Sequence, residues 1–254
     1  MKKQYYEAIF KRKSFHLFRN VGSDKISSDE LKDIEKAYAD FEKLYPEIKT
    51  AIRIEPADRV NFKRDAEYCI LIYSEKKENY LMNVGYIGEQ LDLYLTQHNI
   101  GSLWFGIGKP DEPQFNGLDY VIMFAIRKVN DETKFRKDMF KAKRKPLREI
   151  WSGDDLGIAD ISRFSPSACN SQPWYVKNEN GVLTVYRYKK PGKRGIMPAS
   201  AVSYFNRIDI GIYLCILEIC MEKNNISFRK ELFADDGSDR EYTKAAEYFI
   251  HCDI

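Results

Sequence analysis

The most constraining feature of the sequence is a segment near its carboxyl end that is apolar on almost every side of a helix. A helix with one apolar stripe lies on a surface, whereas a helix that is apolar all round must be covered on every side. We therefore expect this helix to lie between other parts of the protein. It runs from about Tyr204 to Met221, and its apolar residues are Ile208, Ile210, Ile212, Tyr213, Leu214, Ile216, Leu217 and Ile219.

The same order of elements is predicted twice along the chain. In the first part, Ser27 and Glu30 form a capping box that begins an amphipathic helix with Leu31, Ile34, Tyr38, Phe41 and Leu44 at helical spacing. Apolar runs and helical spacing then predict the other elements. These are a strand at 67–74, a helix from Val84 that ends near Gly101, a strand at 118–127, a helix at 147–161, a strand at 182–188, the apolar helix and a strand from Glu247 to Asp253.

A weak internal similarity accompanies this repeat. Aligning Asn225 with Asn99 places Gly211 on Gly85 and Leu217 on Leu91. Chance similarity between two buried helices is the alternative. We predict one compact unit made of a first half at residues 1–130, a connector at 131–148 and a second half at 149–254.

Composition excludes several classes of protein. The 41 basic and 38 acidic residues are interleaved and leave a net charge of +3, which argues against a nucleic-acid-binding protein. The five cysteines form no CxxC or finger spacing, so a reducing cytoplasm fits best. The opening segment is charged, and no run approaches about 18 apolar residues. We therefore expect no export signal and no membrane span.

Residues 134–148 carry the strongest local excess of positive charge, with eight basic residues against one acid, Asp138. A solvated linker and a contact with an anion or phosphate both explain this run.

Arg12 and Ser14 follow a short apolar helix at 5–10. In an extended segment, side chains two residues apart point the same way, so a guanidinium and a hydroxyl can hold one phosphate. A solvated chain end is the alternative for this basic segment.

The segment PSACNSQPW, from Pro166 to Trp174, is the most specific in the chain. Its small residues and turn formers allow the backbone to approach a flat ligand, and the Asn170 amide can donate and accept hydrogen bonds at the ligand edge. A plain turn before a strand at Trp174 is the alternative.

A third segment has glycines on both sides of an aromatic pair, Trp104 and Phe105. Gly101 and Gly106 would let backbone N–H groups face a ligand without interference from a Cβ atom. A loop of buried aromatic residues is the alternative.

Other chemical motifs are missing from the sequence. It contains neither a GxGxxG dinucleotide fingerprint nor a GxxxxGK[ST] phosphate loop. His16, His98 and His251 lack metal-ligand spacing, so we expect no metal site. Cys169 has no histidine in a recognisable triad context, and we interpret it as a small loop residue.

Together, Arg12-Lys13-Ser14, residues 101–106, Arg144-Lys145-Pro146-Leu147 and PSACNSQPW resemble the FMN-dependent nitroreductase family, in particular its single-chain, internally duplicated branch. The family's typical motifs are R-R-S-x-R and P-S-x-x-N-x-Q-P-W. The resemblance implies an α+β, nitroreductase-like fold in which a central, mostly antiparallel sheet packs with helices and two related halves form a pseudo-dimer.

The order of the motifs differs from the usual one. In ordinary members the PSxxN loop follows the arginine-serine motif by a few tens of residues, but here more than 150 residues separate them, and residues 39–46 stand in the expected place. In the familiar homodimer each flavin lies between subunits. A duplicated chain with one motif in each half would therefore build one complete site and lack the second.

The resemblance also implies the site residues. Arg12, Ser14 and the Lys143–Lys145 cluster would hold the phosphate, and the 166–170 loop would line the ring or ribityl chain. Backbone at Phe105 and Gly106 would face flavin N5. His16 replaces the family's second arginine and is charged only part of the time near neutral pH. The implied FMN-binding set is Arg12, Ser14, His16, Trp104, Phe105, Gly106, Lys143, Arg144, Pro166, Ser167, Ala168 and Asn170.

The activity implied by the resemblance is a ping-pong cycle in which NAD(P)H reduces the flavin and a small electron-poor acceptor, such as a nitroarene or quinone, reoxidises it. No side chain need act as the acid or base. Two other functions remain open: a flavin sensor, store or degenerate scaffold with little turnover, and another reaction on the same fold, such as reductive dehalogenation or flavin fragmentation. The chain is expected to be a monomer or a homodimer.

Overall fold

The computed structural model describes residues 2–60, 64–188 and 197–251; Cys252 and the predicted strand end at Asp253 lie outside them. The helices in these ranges are α1 (Tyr6–Lys11), α2 (Ser28–Asp40), α3 (Tyr80–Gln97), α4 (Ala159–Ser162) and α5 (Ala199–Lys223). The strands are β1 (Thr50–Pro56), β2 (Tyr68–Ser74), β3 (Ile100–Phe105), β4 (Gln114–Phe115), β5 (Leu118–Lys128), β6 (Trp151–Ser152), β7 (Trp174–Glu179), β8 (Val182–Tyr188), β9 (Ser227–Leu232) and β10 (Tyr242–His251).

The described strands form two five-stranded sheets. The first has the order β1-β2-β5-β3, with β4 on β5, and the second has the order β6-β7-β8-β10-β9. Every pair is antiparallel except β6 with β7. From β7 onward the second sheet repeats the order of the first. The α+β class with mostly antiparallel strands is thus confirmed, although the strands are divided between two sheets.

The prediction that α5 is covered on all sides is confirmed. Every residue from Ile208 to Met221 is buried, and the main core joins α3 and α5 to one face of each sheet. An all-round apolar helix needs such cover, which is why one sheet alone does not suffice. Within the described ranges no helix combines the length and apolarity needed to cross a membrane.

Two glycines set the contact between α3 and α5. A Cβ atom on Gly85 would lie 2.0 Å from the backbone oxygen of Ile208, and one on Gly211 would lie 1.9 Å from that of Met82. Only glycine permits so close an approach of two helix backbones. The alignment of Gly211 with Gly85 also places Ile208 on Met82, so the structure contains the same contact twice, once from each helix.

The predicted helix at 147–161 is wrong. This stretch contains a 3-10 turn at Leu147–Glu149, the two-residue strand β6 and the four-residue helix α4. Gly153, Leu156 and Gly157 have positive φ angles of 83°, 52° and 69°, which a right-handed helix does not accommodate.

Three other boundaries differ from the sequence-based expectations. The Gly-flanked aromatic segment is strand β3, because it pairs with β5 from Ile100 to Phe105. Helix α3 ends at Gln97, before Gly101, since Asn99 adopts a φ of 55°. The predicted capping box of α2 is present, but the helix ends at Asp40, so Phe41 and Leu44 lie beyond it.

The segment after α1 is fixed against β3. Ser14 forms a parallel bridge with Ser102, and the Phe15 amide donates to the Ser102 carbonyl at 2.9 Å. The Phe15 and Phe18 rings are stacked in a second apolar cluster that includes Leu71. These contacts hold Arg12 at the end of α1 in a defined place beside the first sheet.

Candidate functional site

Arg12 is a buried cation at the carboxyl end of α1, 4% exposed. Its Nε lies 2.5 Å from Asp92 Oδ2, and its Nη2 donates to Ser14 Oγ at 3.2 Å. The structure therefore brings together the guanidinium and hydroxyl that the sequence predicts as a pair.

Asp92, on α3, connects this pair to the aromatic segment of β3. Besides Arg12, its carboxylate accepts hydrogen bonds from Ser102 Oγ and, at 3.1 Å, from Trp104 Nε1. Sequence analysis missed Asp92. The available signal was an acid within a long apolar helix, because a buried charge requires partners.

Four arginines form a cluster that we call the arginine cluster: Arg12, Arg136, Arg144 and Arg163. Burial, followed by repulsion from Arg12, Arg136 and Arg163, lowers the pKa of Arg144 to about 10. Burial and Arg12 likewise lower the pKa of Arg136. Residues from the first half, the connector and the second half thus place positive charge in one region.

The arginine cluster carries more positive than negative charge. Asp92 pairs with Arg12, and Asp160 pairs with Arg163 at 3.1 Å. Glu89 also lies 3.9 Å from Arg12 Nε, but burial raises the pKa of this acid well above its usual range, so we do not count a charge on it. In the part of the chain that the structure describes, no carboxylate forms an ion pair with Arg136 or Arg144. This leaves about two uncompensated positive charges, which suits an anion such as a phosphate monoester with a charge of about −1.5 to −2.

The PSACNSQ loop, residues 166–172, has a strained backbone. Cys169, Asn170 and Gln172 have φ angles of 51°, 54° and 49°. Non-glycine residues in this region cost roughly 1–3 kcal/mol each and cluster at ligand sites. Several internal bonds hold the turn. The Gln172 amide donates to Ser167 Oγ at 2.9 Å, the Asn170 amide donates to the Ser167 carbonyl at 3.0 Å, and Gln172 Nε2 donates to the Asn170 carbonyl at 3.2 Å.

The arginine cluster and the connector bind this loop from one side. Arg144 Nη1 donates to Asn170 Oδ1 at 3.1 Å, and Asn170 Nδ2 donates to the Lys143 carbonyl at 3.1 Å. The Lys145 amide donates to Gln172 Oε1 at 2.8 Å. The basic run is therefore partly structural, since it holds the loop.

Helix α5 binds the loop from the other side. Asp209, which is 3% exposed, accepts from the Ala168 amide at 2.9 Å and from Ser171 Oγ at 3.4 Å. Sequence analysis missed this residue too, although it is an acid in the most apolar helix of the chain. Pro166 is buried at the base of the loop, whereas Asn170 is exposed.

The aromatic segment approaches α5. A Cβ atom on Gly106 would lie 2.5 Å from the Phe205 ring, so a larger residue here would displace that ring. Trp104 is half-buried against Phe124, and the Phe105 ring lies 5.6 Å from the Arg64 guanidinium. Asp92 joins this segment to Arg12, because its carboxylate accepts hydrogen bonds from both Trp104 and Arg12.

The side chains of two predicted site residues, His16 and Lys143, take no part in the contacts around the arginine cluster and the loop. His16 is exposed, and no hydrogen bond or ion pair joins its side chain to another described residue. Lys143 contributes its carbonyl oxygen, while its side chain is exposed.

The position related to this site by the repeat has different contacts, made by the side chain of Asn79. Asn79 corresponds to Phe205 in the alignment of α3 with α5, and Phe233 follows β9 as Gly106 follows β3. Asn79 Nδ2 donates to Tyr45 Oη at 2.7 Å and to the Phe233 carbonyl at 3.1 Å, and its Oδ1 accepts from the Asp235 amide at 2.9 Å. Tyr45 belongs to the segment that stands where the PSxxN loop is usual.

Across residues 2–60, 64–188 and 197–251, no group of histidine, cysteine or acidic side chains could hold a metal ion.

Comparison with known proteins identifies a family whose model matches most of the chain. The family described as "Putative TM nitroreductase" matches residues 4–221. The crystal structure of a "putative nitroreductase" from Thermotoga maritima MSB8 has a TM-score of 0.60 at 18% identity over 97% of this chain and 93% of that chain. A nitroreductase family protein from Clostridium difficile 630 has a TM-score of 0.43 at 16% identity, over 57% of this chain and 94% of that chain. Among curated proteins, none matches this sequence.

Proposed function

The chain belongs to the family described as "Putative TM nitroreductase", and from this premise we propose that it is an FMN-dependent oxidoreductase that takes electrons from NAD(P)H and passes them to a small electron-poor acceptor. Membership supports oxidoreductase activity in general. The identities of the cofactor, the electron donor and the electron acceptor go beyond family membership and are part of what we propose.

The arginine cluster is the observation that carries the proposal. Its two uncompensated charges, on Arg136 and Arg144, match the charge of the FMN phosphate, and Ser14 adds a hydroxyl next to Arg12. The Nη groups of Arg144 donate to Asn170 and to the Lys143 and Phe164 carbonyls, but its Nε has no hydrogen-bond partner in the described chain. A partly buried guanidinium that has no carboxylate partner favours the binding of an oxyanion.

The residues around the arginine cluster also fit a flat cofactor. The PSACNSQ loop presents Asn170, whose side chain is fixed by Arg144 and Lys143, and Gly106 keeps the end of β3 free of a side chain. Ser167 orders the loop, while Ala168 is held by α5. Bound FMN would supply the redox chemistry, and these residues would bind and orient it.

We propose one such site per chain, built from both predicted halves, 1–130 and 149–254, and the 131–148 connector. The first half supplies Arg12, the connector supplies Arg136 and Arg144, and the second half supplies the loop. At the position that the repeat relates to this site, Asn79 instead forms hydrogen bonds with Tyr45, Phe233 and Asp235, and we propose that no second FMN binds there. A pseudo-dimeric chain of this kind needs no second subunit to complete the site, and its cytoplasmic location stays a prediction.

The proposal is tested by comparing the dissociation constants of FMN and riboflavin for the wild type and for Arg136→Gln. Loss of a charged hydrogen bond of about 1.5–3 kcal/mol should weaken FMN binding about 10- to 150-fold. Riboflavin lacks the phosphate, so its affinity should stay the same. Arg148→Gln is the matched control, because Arg148 is an exposed arginine of the same connector.

Two results would contradict the phosphate assignment: no FMN binding by the wild type, or equal losses for FMN and riboflavin in Arg136→Gln. A separate assay addresses turnover. NADH or NADPH should bleach the flavin absorbance without oxygen, and a nitroarene or quinone should restore it. A flavoprotein that neither donor bleaches would instead be a sensor or store.

A further inference from the structure

Asp209 is an acid where the other half of the protein uses a neutral amide. The alignment that places Gly211 on Gly85 places Asp209 on Asn83. Asn83 Oδ1 accepts from the Tyr45 amide at 3.1 Å, as Asp209 Oδ1 accepts from the Ala168 amide at 2.9 Å. An asparagine can therefore make this backbone bond, so the acid adds something else.

The carboxylate adds a second acceptor and a charge. Asp209 Oδ2 also accepts from Ser171 Oγ at 3.4 Å, whereas the corresponding Nδ2 of Asn83 has no hydrogen-bond partner in the described chain. A hydrogen bond to an ionised group is roughly twice as strong as one between neutral groups. Asp209 thus holds the loop more tightly when it is ionised.

The loop needs such a tether. Three of its residues, Cys169, Asn170 and Gln172, have positive φ angles. Backbone strain of this kind persists only where the surroundings enforce it. Arg144 fixes the loop from the connector, and Asp209 fixes it from α5.

We propose that Asp209 is the positioning residue of the candidate site: its ionised carboxylate holds the PSACNSQ loop in the binding conformation, and protonation of that carboxylate loosens the loop and weakens FMN binding. The role of Asp209 in holding the loop is inferred from its contacts alone. Its effect on FMN binding rests on the proposed function.

The surroundings of Asp209 favour titration near neutral pH. Burial, opposed by the bonds from Ala168 and Ser171, raises the pKa of Asp209 to about 8. Helix α3 carries the charged residues Glu89 and Asp92, and α5 carries Arg207, Glu218, Glu222 and Lys223 besides Asp209. Arg144 and Arg163 lie beside the loop. In the described chain the hydrogen bonds of Asp209 come from Ala168 and Ser171, and no charged group shifts its pKa.

The acid has a cost in stability that an asparagine avoids. Between the unfolded pKa of 3.8 and the folded value of about 8, the native state binds a proton that the unfolded chain releases. The free energy of unfolding therefore falls as pH rises through this window. Asp209→Asn should remove this contribution and unfold at a higher denaturant concentration than the wild type at pH 8.

Amide hydrogen exchange of the protein without cofactor, measured by NMR from pH 6.5 to 9, tests the loop directly. In the wild type the protection factor of the Ala168 amide, measured relative to that of the Tyr45 amide, should rise about tenfold with pH, because its bond becomes charge-assisted. The fall in the free energy of unfolding acts on both amides and cancels in this ratio. The Tyr45 amide, held by neutral Asn83, is the internal control and should show no such rise. In Asp209→Asn the Ala168 amide should behave like that of Tyr45.

FMN dissociation constants over the same pH range test the second part. Wild-type affinity should increase about tenfold with pH, whereas Asp209→Asn should bind with little pH dependence. Ser171→Ala keeps the acid and should retain the pH dependence with a looser loop. Arg144 stays charged in this range, since its pKa is about 10.

The outcomes separate the two proposals. If Ala168 protection does not rise with pH in the wild type, or still rises in Asp209→Asn, the role of Asp209 is overturned whether or not FMN binds. If Ala168 behaves as expected but no FMN binds, the proposed function fails and the loop tether stands. If FMN binds with the same pH dependence in both proteins, Asp209 does not control the cofactor site.

Discussion

At the scale of single residues, the candidate site depends on acids buried in apolar helices. Asp92 fixes Arg12, Ser102 and Trp104 at once, so one carboxylate orients groups from two segments. Glu89, one turn earlier, is also buried; burial and then Asp92 raise its pKa well above the usual range. Asp92 is the acid in direct contact with Arg12, at 2.5 Å, whereas Glu89 Oε1 lies 3.9 Å from Arg12 Nε.

Asp92→Asn should lower the free energy of unfolding by about 3 kcal/mol, at the low end of the range for breaking a buried ion pair. The loss is moderated because Glu89 lies 3.9 Å from Arg12 Nε and can take over part of the charge. Urea unfolding measures it. The control is Asp236→Asn, whose pair with Arg240 is exposed and should matter little. Equal effects of the two changes would show that Asp92 does not support Arg12.

At the scale of secondary structure, the crossing of α3 and α5 holds the two halves in register. Gly85 and Gly211 each contact a backbone oxygen of the opposite helix, so the helices cannot approach closely with any larger residue there. The same helices carry Asp92 and Asp209, which fix the two sides of the candidate site. Separation of the helices would therefore also disturb the site.

Gly211→Ala should lower the free energy of unfolding by about 3 kcal/mol, the upper end for overpacking, because backbone atoms cannot move aside as a side chain can. Denaturant unfolding of the variant and the wild type measures this change. Ser200→Ala, at an exposed position of the same helix, is the control and should change stability by less than about 0.5 kcal/mol. If Gly211→Ala lowers the free energy of unfolding by no more than Ser200→Ala does, the helices can move apart freely.

At the scale of the whole molecule, the two sheets share a strand order but the two potential sites differ. Arg144 joins the PSACNSQ loop to the arginine cluster that contains Arg12, whereas at the related position Asn79 bonds to Tyr45 Oη and to the Phe233 carbonyl. The chain therefore repeats a strand order without repeating the contacts of the candidate site.

We expect calorimetric titration to give one FMN per chain. Light scattering on the same sample determines whether the chain is a monomer or a homodimer, and the ratio per chain should be the same in either state. Two FMN molecules per chain would contradict closure of the second position by Asn79. A ratio of one half would mean that the site needs a second chain.

The sequence by itself determined the elements whose signals are local. The all-round apolarity of α5, the capping box at Ser27 and the strands at β2, β5 and β8 follow from periodicity and short motifs, and the structure contains all of them. The family and the α+β class followed from the quoted motifs. The stretch at 147–161 failed because backbone conformations at Gly153 and Gly157 outweigh a helical pattern.

Only the tertiary structure decided which charges meet. Arg12 and Asp92 are 80 residues apart in the sequence, and Asp209 lies 41 residues from Ala168, whose amide donates a hydrogen bond to it. Periodicity predicts which face of a helix is buried, but it does not say which buried groups pair, because that depends on how helices and loops from distant parts of the chain pack. The segments of the candidate site could therefore be read from the sequence, whereas the arginine cluster and its two anchoring acids required the fold.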